Sequence, residues 1–361
     1  MVFVGGPRQV GKTTLGLAFL RPSSEKNPAY LSWDILQHRK NILKNQIPLQ
    51  YTTLVFGEIH KFKHWRGLMK GLYDENRSDH SFLVTGSARL DHFSKGGDSL
   101  MGRYFYYCLH PFSLMEMNPN PNKGDLETLM KFGGFPEPLF RQSEDDWRRW
   151  QNSRRHQVVY DDLRDLERVK EISLIELLLE SLPERVGSPL SVNSLRQDLS
   201  VSHQSVESWI KLLEVLYMLF RIPPYGGPRI RAVKKERKLY FWDWSCIESE
   251  GFRFENLVAC HLLKYCHYQR DVKGLKMELR YLRDIDKREV DFIVLKNKKP
   301  MFAVECKLKE TNLSPSLGHF QKKLSIPRCY QVHLASKDFG NDKQNGRCLP
   351  FVTFCREVLK I

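Results

Sequence analysis

The sequence lacks any apolar run that approaches the ~20 residues needed for a transmembrane helix. We also expect no signal peptide, because the chain opens directly on a short apolar segment typical of a β-strand. Its eight cysteines are dispersed over 361 residues and form no C-x-x-C pair, which disfavours a disulfide framework and a zinc site. We therefore expect a cytoplasmic protein with reduced thiols and no membrane partner, long enough for two or three domains.

Acidic residues are scarce relative to basic ones, and the formal net charge is +15. Residues 1–150 contain 20 basic and 15 acidic residues, whereas residues 151–361 contain 37 and 27. The larger excess in the later part of the chain indicates where a polyanion such as nucleic acid would bind. Basic charge alone does not establish such a partner, because a solvated basic surface has the same composition.

One segment near the start of the chain has the spacing of a phosphate-binding loop. Residues 6–13 read G-P-R-Q-V-G-K-T and follow the apolar run 1–4. Glycines let backbone N–H groups turn towards a β-phosphate, while Lys12 would reach the β- and γ-phosphates and Thr13 would offer a hydroxyl to Mg²⁺. A helix predicted over 14–20 makes a chance match the weaker alternative. The predicted ATP-binding residues of this loop are Gly6, Pro7, Arg8, Gln9, Val10, Gly11, Lys12, Thr13 and Thr14.

Three further apolar segments read as β-strands, at residues 30–34, 53–56 and 81–85. Helical stretches separate them, and strands that alternate with helices are typical of a parallel sheet. The sequence therefore predicts an α/β fold of the P-loop type, with its ligand at the carboxyl ends of the strands.

Several motifs follow one another in a characteristic order: G-G-P-R-Q-V-G-K-T, L-V-F-G-E-I-H, L-V-T-G-S, L-M-G-R-Y, H-P-F-S-L-M-E and F-G-G-F-P-E. In this order they resemble the AAA+ superfamily ATPases of archaea and bacteria that carry an uncharacterised C-terminal region. The resemblance covers nearly the whole chain and implies ATP and Mg²⁺ as cofactors. Its members normally have residues before the first strand, which is consistent with a shortened N-terminus here. AAA+ relatives often form rings, which leaves a homo-oligomer open.

The chain departs from that family at one position. The family has an Asp-Glu pair after the third strand, in which the Asp supports Mg²⁺ and the Glu polarises the attacking water. Gly57 stands at the Asp position, while Glu58 is present as the candidate catalytic carboxylate. Because metal placement carries much of phosphoryl-transfer catalysis, we expect nucleotide binding to be retained and hydrolysis to be slow.

Two further positions are candidate contacts to the nucleotide. Thr85 and Ser87 fall where related ATPases place a polar residue that senses the γ-phosphate; the alternative is a simple turn at the strand end, for which Gly86 suffices. Arg103 could stabilise phosphate charge in its own subunit or a neighbouring one. The alternative for Arg103 is a solvated arginine beside an aromatic strand.

The middle of the chain is predicted to be helical, with residues 125–182 forming the lid of the ATPase. Residues 192–199 and 204–220 then give the two helices of a helix–turn–helix, with Ser202 as N-cap, which can place its second helix in a DNA groove. Val206, Ile210, Leu213, Leu216 and Tyr217 share one face, whereas His203, Ser205, Ser208 and Lys211 project elsewhere. A basic segment follows, and a strand over 239–242 would complete a winged helix. DNA contact is predicted through residues 203–238; the alternative is a packing module with a solvated basic edge. The basic residues of the segment are Arg229, Arg231, Lys234, Lys235, Arg237 and Lys238.

The last third of the chain contains the D…E-x-K arrangement of the PD-(D/E)XK nuclease-like fold. Glu305 and Lys307 lie two apart on one predicted strand and point to the same side, Asp291 lies on the neighbouring strand, and Glu255 comes from a preceding helix. In active members that it resembles, the acids hold Mg²⁺ and the lysine positions or activates water. The predicted metal ligands are therefore Glu255, Asp291 and Glu305, with Asp291, Glu305 and Lys307 as catalytic residues. The alternative is a nuclease-derived fold kept for binding or assembly.

Four domains are predicted: a P-loop ATPase core at 1–120, a helical lid at 121–185, a winged helix at 186–245 and a nuclease-like α/β domain at 246–361. The leading hypothesis is an ATP-binding AAA+ type protein whose C-terminal half binds DNA and cuts it under nucleotide control. A second hypothesis is a switch or scaffold with weak hydrolysis and a non-cleaving interaction module. A third is DNA binding through the winged helix with both catalytic centres idle.

Overall fold

The computed structural model of the chain describes residues 1–87, 100–163, 171–226 and 237–361. These residues form two compact units. The first comprises Met1–His110 with short segments at 160–163 and Val215–Tyr217, and the second comprises most of the remainder. None of the described helices is long and apolar enough to cross a membrane.

The first unit is built around a five-stranded parallel sheet with the strand order β2-β3-β4-β1-β5. Leu54, Val55 and Phe56 of β3 are fully buried in its core. Its strands are β1 (Val2–Gly5), β2 (Tyr30–Ser32), β3 (Thr53–Gly57), β4 (Ser81–Gly86) and β5 (Phe105–Cys108). Its helices are α1 (Lys12–Ala18), α2 (Leu36–Leu43) and α3 (Trp65–Asn76). The predicted parallel sheet is confirmed, within two residues at each strand end.

The second unit begins with a group of helices. They are α4 (Leu114–Met117), α5 (Lys123–Phe132), α6 (Pro136–Arg141), α7 (Glu144–Gln157), α8 (Ile172–Ser181), α9 (Val192–Asp198) and α10 (His203–Val215). The helical character predicted for 125–182 is therefore present in its described part. Residues Pro111–Val159 belong to this unit and not to the one that contains the five-stranded sheet.

Strands β6 (Leu219–Ile222) and β8 (Lys238–Phe241) form an antiparallel pair after α10. The second predicted helix was expected to run from 204 to 220, but α10 ends at Val215. The reason is local: Tyr217 adopts a left-handed conformation with φ 54°, and Leu219 already pairs with Phe241. The basic residues Arg229, Arg231, Lys234 and Lys235 lie outside the described residues.

A seven-stranded mixed sheet completes the second unit, in the order β13-β14-β12-β11-β10-β9-β7. Strands β9, β10 and β11 form an antiparallel meander, and β12 then pairs in parallel with β11. The strands are β7 (Pro224–Tyr225), β9 (Met277–Arg283), β10 (Glu289–Lys296), β11 (Lys299–Cys306), β12 (Cys329–His333), β13 (Phe339–Asn341) and β14 (Gly346–Pro350). The helices of this region are α11 (Glu250–Asp271), α12 (Pro315–Leu324) and α13 (Phe351–Phe354).

Candidate functional sites

The predicted phosphate loop connects the carboxyl end of β1 to the start of α1. Gly11 has φ 99°, a left-handed conformation that side-chain-bearing residues rarely adopt. Gly6 approaches the neighbouring backbone closely, since a Cβ at this position would lie 2.3 Å from the carbonyl oxygen of Leu109. The two glycines of the motif are thus required by the shape of the loop itself.

The side chain of Lys12 folds back into this loop and is buried. Its Nζ donates hydrogen bonds to the carbonyl oxygens of Gly6, at 3.0 Å, and Pro7, at 2.6 Å. This ammonium lies inside the loop, where it can bind an anion such as a phosphate once it leaves the two carbonyl oxygens. The residues present therefore fit a nucleoside triphosphate.

Glu58 lies at the carboxyl end of β3, next to the end of β4. Its backbone N–H donates to the carbonyl of Thr85 at 2.9 Å. Its carboxylate accepts hydrogen bonds from the backbone N–H of Ser87, at 3.2 Å, and from the Ser87 hydroxyl, at 2.9 Å. Burial would raise the pKa of Glu58, but the nearby His60 and Lys12 and the bonds from Ser87 outweigh it and hold that pKa below its usual value. Glu58 is therefore a charged carboxylate, and Ser87, predicted as a γ-phosphate sensor, holds it in place.

The space beside Gly57 is filled by a tyrosine that the sequence reading did not single out. A Cβ at Gly57 would lie 2.9 Å from the hydroxyl oxygen of Tyr30 in β2 and 3.4 Å from Oγ of Ser32. Burial raises the pKa of the Tyr30 phenol, more than the neighbouring Ser32 and Thr13 lower it. A neutral phenol thus lies beside Gly57, the position at which the resemblance implies a charged carboxylate.

The remaining two predicted nucleotide contacts differ in their placement. Thr85 is buried in β4 and pairs with Gly57 and Val4, so it lies at the loop end of the sheet. Arg103 lies just before β5, whose first residue pairs with Val2, so it lies at the amino end of the strands, whereas the loop follows their carboxyl end. There Arg103 Nε donates to Asp74 at 2.7 Å. The structure therefore does not bring Arg103 to the phosphate loop of its own chain.

Three of the predicted C-terminal site residues meet where β10 and β11 pair. Phe292 pairs with Val304, so the adjacent Asp291 and Glu305 stand opposite each other. The backbone N–H of Cys306 donates to Asp291 Oδ2 at 2.9 Å, and Lys307 Nζ donates to Glu305 Oε1 at 2.8 Å. Glu305 and Lys307 thus lie on one side, as their spacing predicts.

Glu255 of α11 joins this group from the helix side. Its Oε1 accepts a hydrogen bond from the Tyr240 hydroxyl at 2.7 Å. Gly187, at φ 73°, lies so close that a Cβ there would be 2.9 Å from a carboxylate oxygen of Glu255. A small residue at position 187 is therefore needed for this carboxylate to reach the site.

The acids share a lysine whose role the sequence reading missed. Lys238 of β8 is almost fully buried, and its Nζ lies 2.6 Å from Glu289 Oε1, 3.4 Å from Glu255 Oε1 and 3.5 Å from Asp291 Oδ1. Burial alone would lower the pKa of Lys238, but these carboxylates raise it well above its usual value. Lys238 is therefore a permanent cation. Its position in the sequence groups it with the basic segment and not with the acidic site.

Burial and the charge of Asp291 both raise the pKa values of Glu255 and Glu305, more than the neighbouring lysines lower them. Glu305 Oε2 is buried and has no hydrogen-bond partner among the described residues. An orphaned carboxylate oxygen opposite Asp291 fits a divalent metal ion. The Glu255 side of the site does not, because the ammonium of Lys238 already lies there.

Helix α10, the candidate DNA-reading helix, exposes only a narrow stripe. His203, Gln204 and Lys211 are exposed. Glu207 lies on the same side and pairs with the buried Arg221 of β6 at 3.0 Å. The predicted apolar face is confirmed as buried. Most of the remaining surface of α10 is therefore occupied by packing.

Three family models match successive parts of the chain. Residues 1–118 match an AAA domain, residues 123–249 match a domain of unknown function (DUF8612), and residues 250–354 match a domain of unknown function (DUF4143). The first match shows that residues 1–118 are similar to an AAA domain, and the phosphate loop within them supports nucleotide binding. The domain boundaries predicted after 120, 185 and 245 stay predictions.

The chain is also similar to two individual proteins. It is 21% identical to the uncharacterized protein MJ1544 of Methanocaldococcus jannaschii, over 91% of this chain and 80% of that protein. A structure of the Aeropyrum pernix ORC1 protein in complex with DNA overlaps 72% of this chain and 86% of that one, with 13% identity and a TM-score of 0.33. At that score the overlap supports no conclusion about this chain.

Proposed function

We propose that this protein binds ATP as a switch, with slow hydrolysis, and that the nucleotide controls engagement of DNA by the C-terminal unit. The proposal rests on the residue replacement at position 57, on the side of the phosphate site where Mg²⁺ would bind. Lys12 and Glu58 are held in position there, but the carboxylate expected at residue 57 is replaced by the Tyr30 hydroxyl. The site retains the residues that would bind phosphate and lacks one carboxylate that would support the metal ion.

Each residue of the site would then have a defined role. Lys12 would leave its two carbonyl partners and bind the β- and γ-phosphates, and Thr13 would ligate Mg²⁺. The ion supplies charge neutralisation between the phosphates. Glu58 would orient the attacking water, with Ser87 and Thr85 at the γ-phosphate side. Tyr30, which lies beside Gly57, would contribute no charge to the metal side, so binding would survive and turnover would be slow.

The test compares ATP affinity with ATP turnover in one set of variants. The wild type should bind ATP with Mg²⁺ and hydrolyse it slowly. The double variant Tyr30→Ala/Gly57→Asp should hydrolyse it at least about tenfold faster, because a carboxylate near the metal is restored. Tyr30→Ala alone is the matched control and should not gain turnover. If the wild type already hydrolyses ATP rapidly, or the double variant gains nothing, the account of the missing aspartate is wrong.

A second candidate function, metal-dependent DNA cleavage, is favoured by the meeting of Asp291, Glu305 and Lys307. Asp291 and Glu305 would hold the ion, and Lys307 would position water against a phosphodiester. DNA would be bound through residues 203–238 and the surface of the nuclease-like part, where the basic excess of the chain is larger.

The cleavage test uses plasmid and linear DNA with Mg²⁺ or Mn²⁺, with and without ATP. Cutting that is lost in Asp291→Ala would support the nuclease. Binding without cutting in every condition would leave the switch with a non-cleaving DNA-binding module. If the protein binds neither the plasmid nor the linear DNA, the proposal that it engages DNA is refuted. Light scattering of the same samples, with and without ATP, reports whether the protein forms a homo-oligomer.

A further inference from the structure

The acidic site of the C-terminal unit contains more acids than its motif requires and one cation that the motif does not contain. Glu289, two residues before Asp291 on β10, adds a carboxylate beside those of Asp291 and Glu255. Lys238 lies among these three, with each ammonium-to-oxygen distance between 2.6 and 3.5 Å. This is a shared, buried contact and not a surface ion pair.

The position of Lys238 is fixed by its surroundings. Its backbone pairs with Ile222 of β6, and its Nζ lies 5.5 Å from the ring centroid of Tyr281. Only 1% of its side chain is exposed. A side chain buried to this degree on a paired strand does not exchange with solvent as a surface lysine does.

We propose that Lys238 is the resident cation of the Glu255 side of this site, so that Glu255 is not a ligand for an exchangeable metal ion. The ammonium compensates the charge of Glu255, Glu289 and Asp291 in the way a divalent ion would. It also repels a second cation placed among the same oxygens. The metal set predicted from the motif, Glu255, Asp291 and Glu305, is thereby reduced to the last two.

Glu305 lies beyond the direct contacts of this lysine. Its partner is Lys307, which binds Oε1, whereas Oε2 has no hydrogen-bond partner among the described residues. A single metal ion would therefore bind between Asp291 and Glu305, and Lys238 would remain beside it. The site would be mixed, with one exchangeable ion and one built-in ammonium.

The test measures Mn²⁺ binding by calorimetry and by the electron paramagnetic resonance signal of free Mn²⁺, without nucleotide or DNA. In the wild-type background, Glu255→Gln should change the Mn²⁺ affinity by less than about threefold, since no ligand of the ion is lost and Lys238 already compensates the charge of Glu255. In Lys238→Met/Glu289→Gln, which removes one cation and one acid, Mn²⁺ should bind at least about tenfold more tightly. Adding Glu255→Gln to that double variant should abolish the gain.

The matched control is Lys211→Met, which removes an exposed lysine of the same unit and should leave Mn²⁺ affinity unchanged. Circular dichroism checks that each variant is folded. A tenfold or greater loss in the single variant Glu255→Gln would overturn the proposal, because Glu255 would then be a ligand despite Lys238. A folded Lys238→Met/Glu289→Gln protein without tighter binding would also overturn it. The inference rests on the proposed D…E-x-K site, but neither ATP binding nor DNA cleavage enters the measurement, so its failure is distinct from theirs.

Discussion

The phosphate-loop site and the C-terminal acidic site have both taken up a side chain that their motifs do not contain, but the two additions are chemically opposite. In the first site an acid is missing and the neutral hydroxyl of Tyr30 fills its place. In the second site every acid is present and the cation Lys238 has been added. Both changes reduce the negative charge available to a metal ion.

The difference shows how the two sites would respond to ligands. A hydroxyl leaves the phosphate loop open to an anion, because Lys12 and the backbone groups are unchanged. An ammonium among the carboxylates instead supplies the positive charge that a metal ion would otherwise provide. We therefore expect the first site to be weakened for catalysis but not for binding, and the second to have part of its metal-binding capacity already occupied.

The largest effect is expected from the lysine of the acidic site. Lys238→Met should lower the free energy of unfolding of the C-terminal unit by about 3–5 kcal/mol, because it leaves buried carboxylates without their counter-ion. Urea denaturation followed by tryptophan fluorescence measures this change. Lys211→Met is the control and should stay within about 0.5 kcal/mol of the wild type. Equal stabilities of the two variants would show that Lys238 is not part of a buried ionic cluster.

The corresponding change in the first site is Lys12→Ala, which should affect ligand binding and not the fold. We expect ATP affinity to fall by roughly 100-fold, because the charge-assisted contacts to the phosphates are lost. Calorimetric titration measures the affinity. Lys26→Ala removes an exposed lysine of the same unit and should bind ATP like the wild type; a similar loss in both variants would contradict a specific role for Lys12.

A smaller effect is expected from Gly57→Asp without a change at Tyr30. The new side chain would collide with the Tyr30 hydroxyl, which lies 2.9 Å from the position of its Cβ, and overpacking of this kind costs about 2 kcal/mol. Thermal unfolding should show a lower Tm. Gly71→Asp on α3 is the control, because nothing lies within 4 Å of a Cβ at that position. If Gly57→Asp is as stable as Gly71→Asp, the space beside residue 57 is not filled as described.

The smallest effect is expected from Arg103→Ala. Arg103 lies at the amino end of the parallel strands, away from the phosphate loop at their carboxyl end, and pairs with Asp74 on the surface. ATP affinity of the dilute protein should therefore change by less than about twofold, as for other exposed ion pairs. Turnover measured over a range of protein concentrations completes the test. A loss that grows with concentration would assign Arg103 to the site of a neighbouring subunit, and a loss at every concentration would contradict its placement here.

The elements that could be predicted from the sequence are those defined by local patterns. Strands β1, β3 and β4 of the first sheet follow from short apolar runs that end at glycines, and the pairing of Glu305 with Lys307 follows from the two-residue period of a strand. The end of α10 could not be predicted, because Leu216 and Tyr217 continue the helical apolar spacing. The left-handed backbone at Tyr217 interrupts the helix without changing that pattern.

The two side chains that alter the sites were missed for a different reason. Tyr30 has the character of an ordinary core residue of a strand, and its contact with Gly57 spans 27 positions. Lys238 lies at the end of a basic segment, and its contact with Asp291 spans 53 positions. Both depend on tertiary packing, which spacing along the chain does not encode. The departure at Gly57 was visible in the sequence, but the residue that compensates for it was not.

The built-in ammonium also has a practical consequence for handling the protein. Zinc and magnesium domains are often destabilised by chelators, because their carboxylates or thiolates repel one another once the ion is removed. Here the counter-ion of Glu255 and Glu289 is covalently part of strand β8, next to the core that Tyr240 forms with Phe292. EDTA cannot extract it, so prolonged dialysis against the chelator should remove only an ion held by Asp291 and Glu305 and leave Glu255 and Glu289 paired with Lys238.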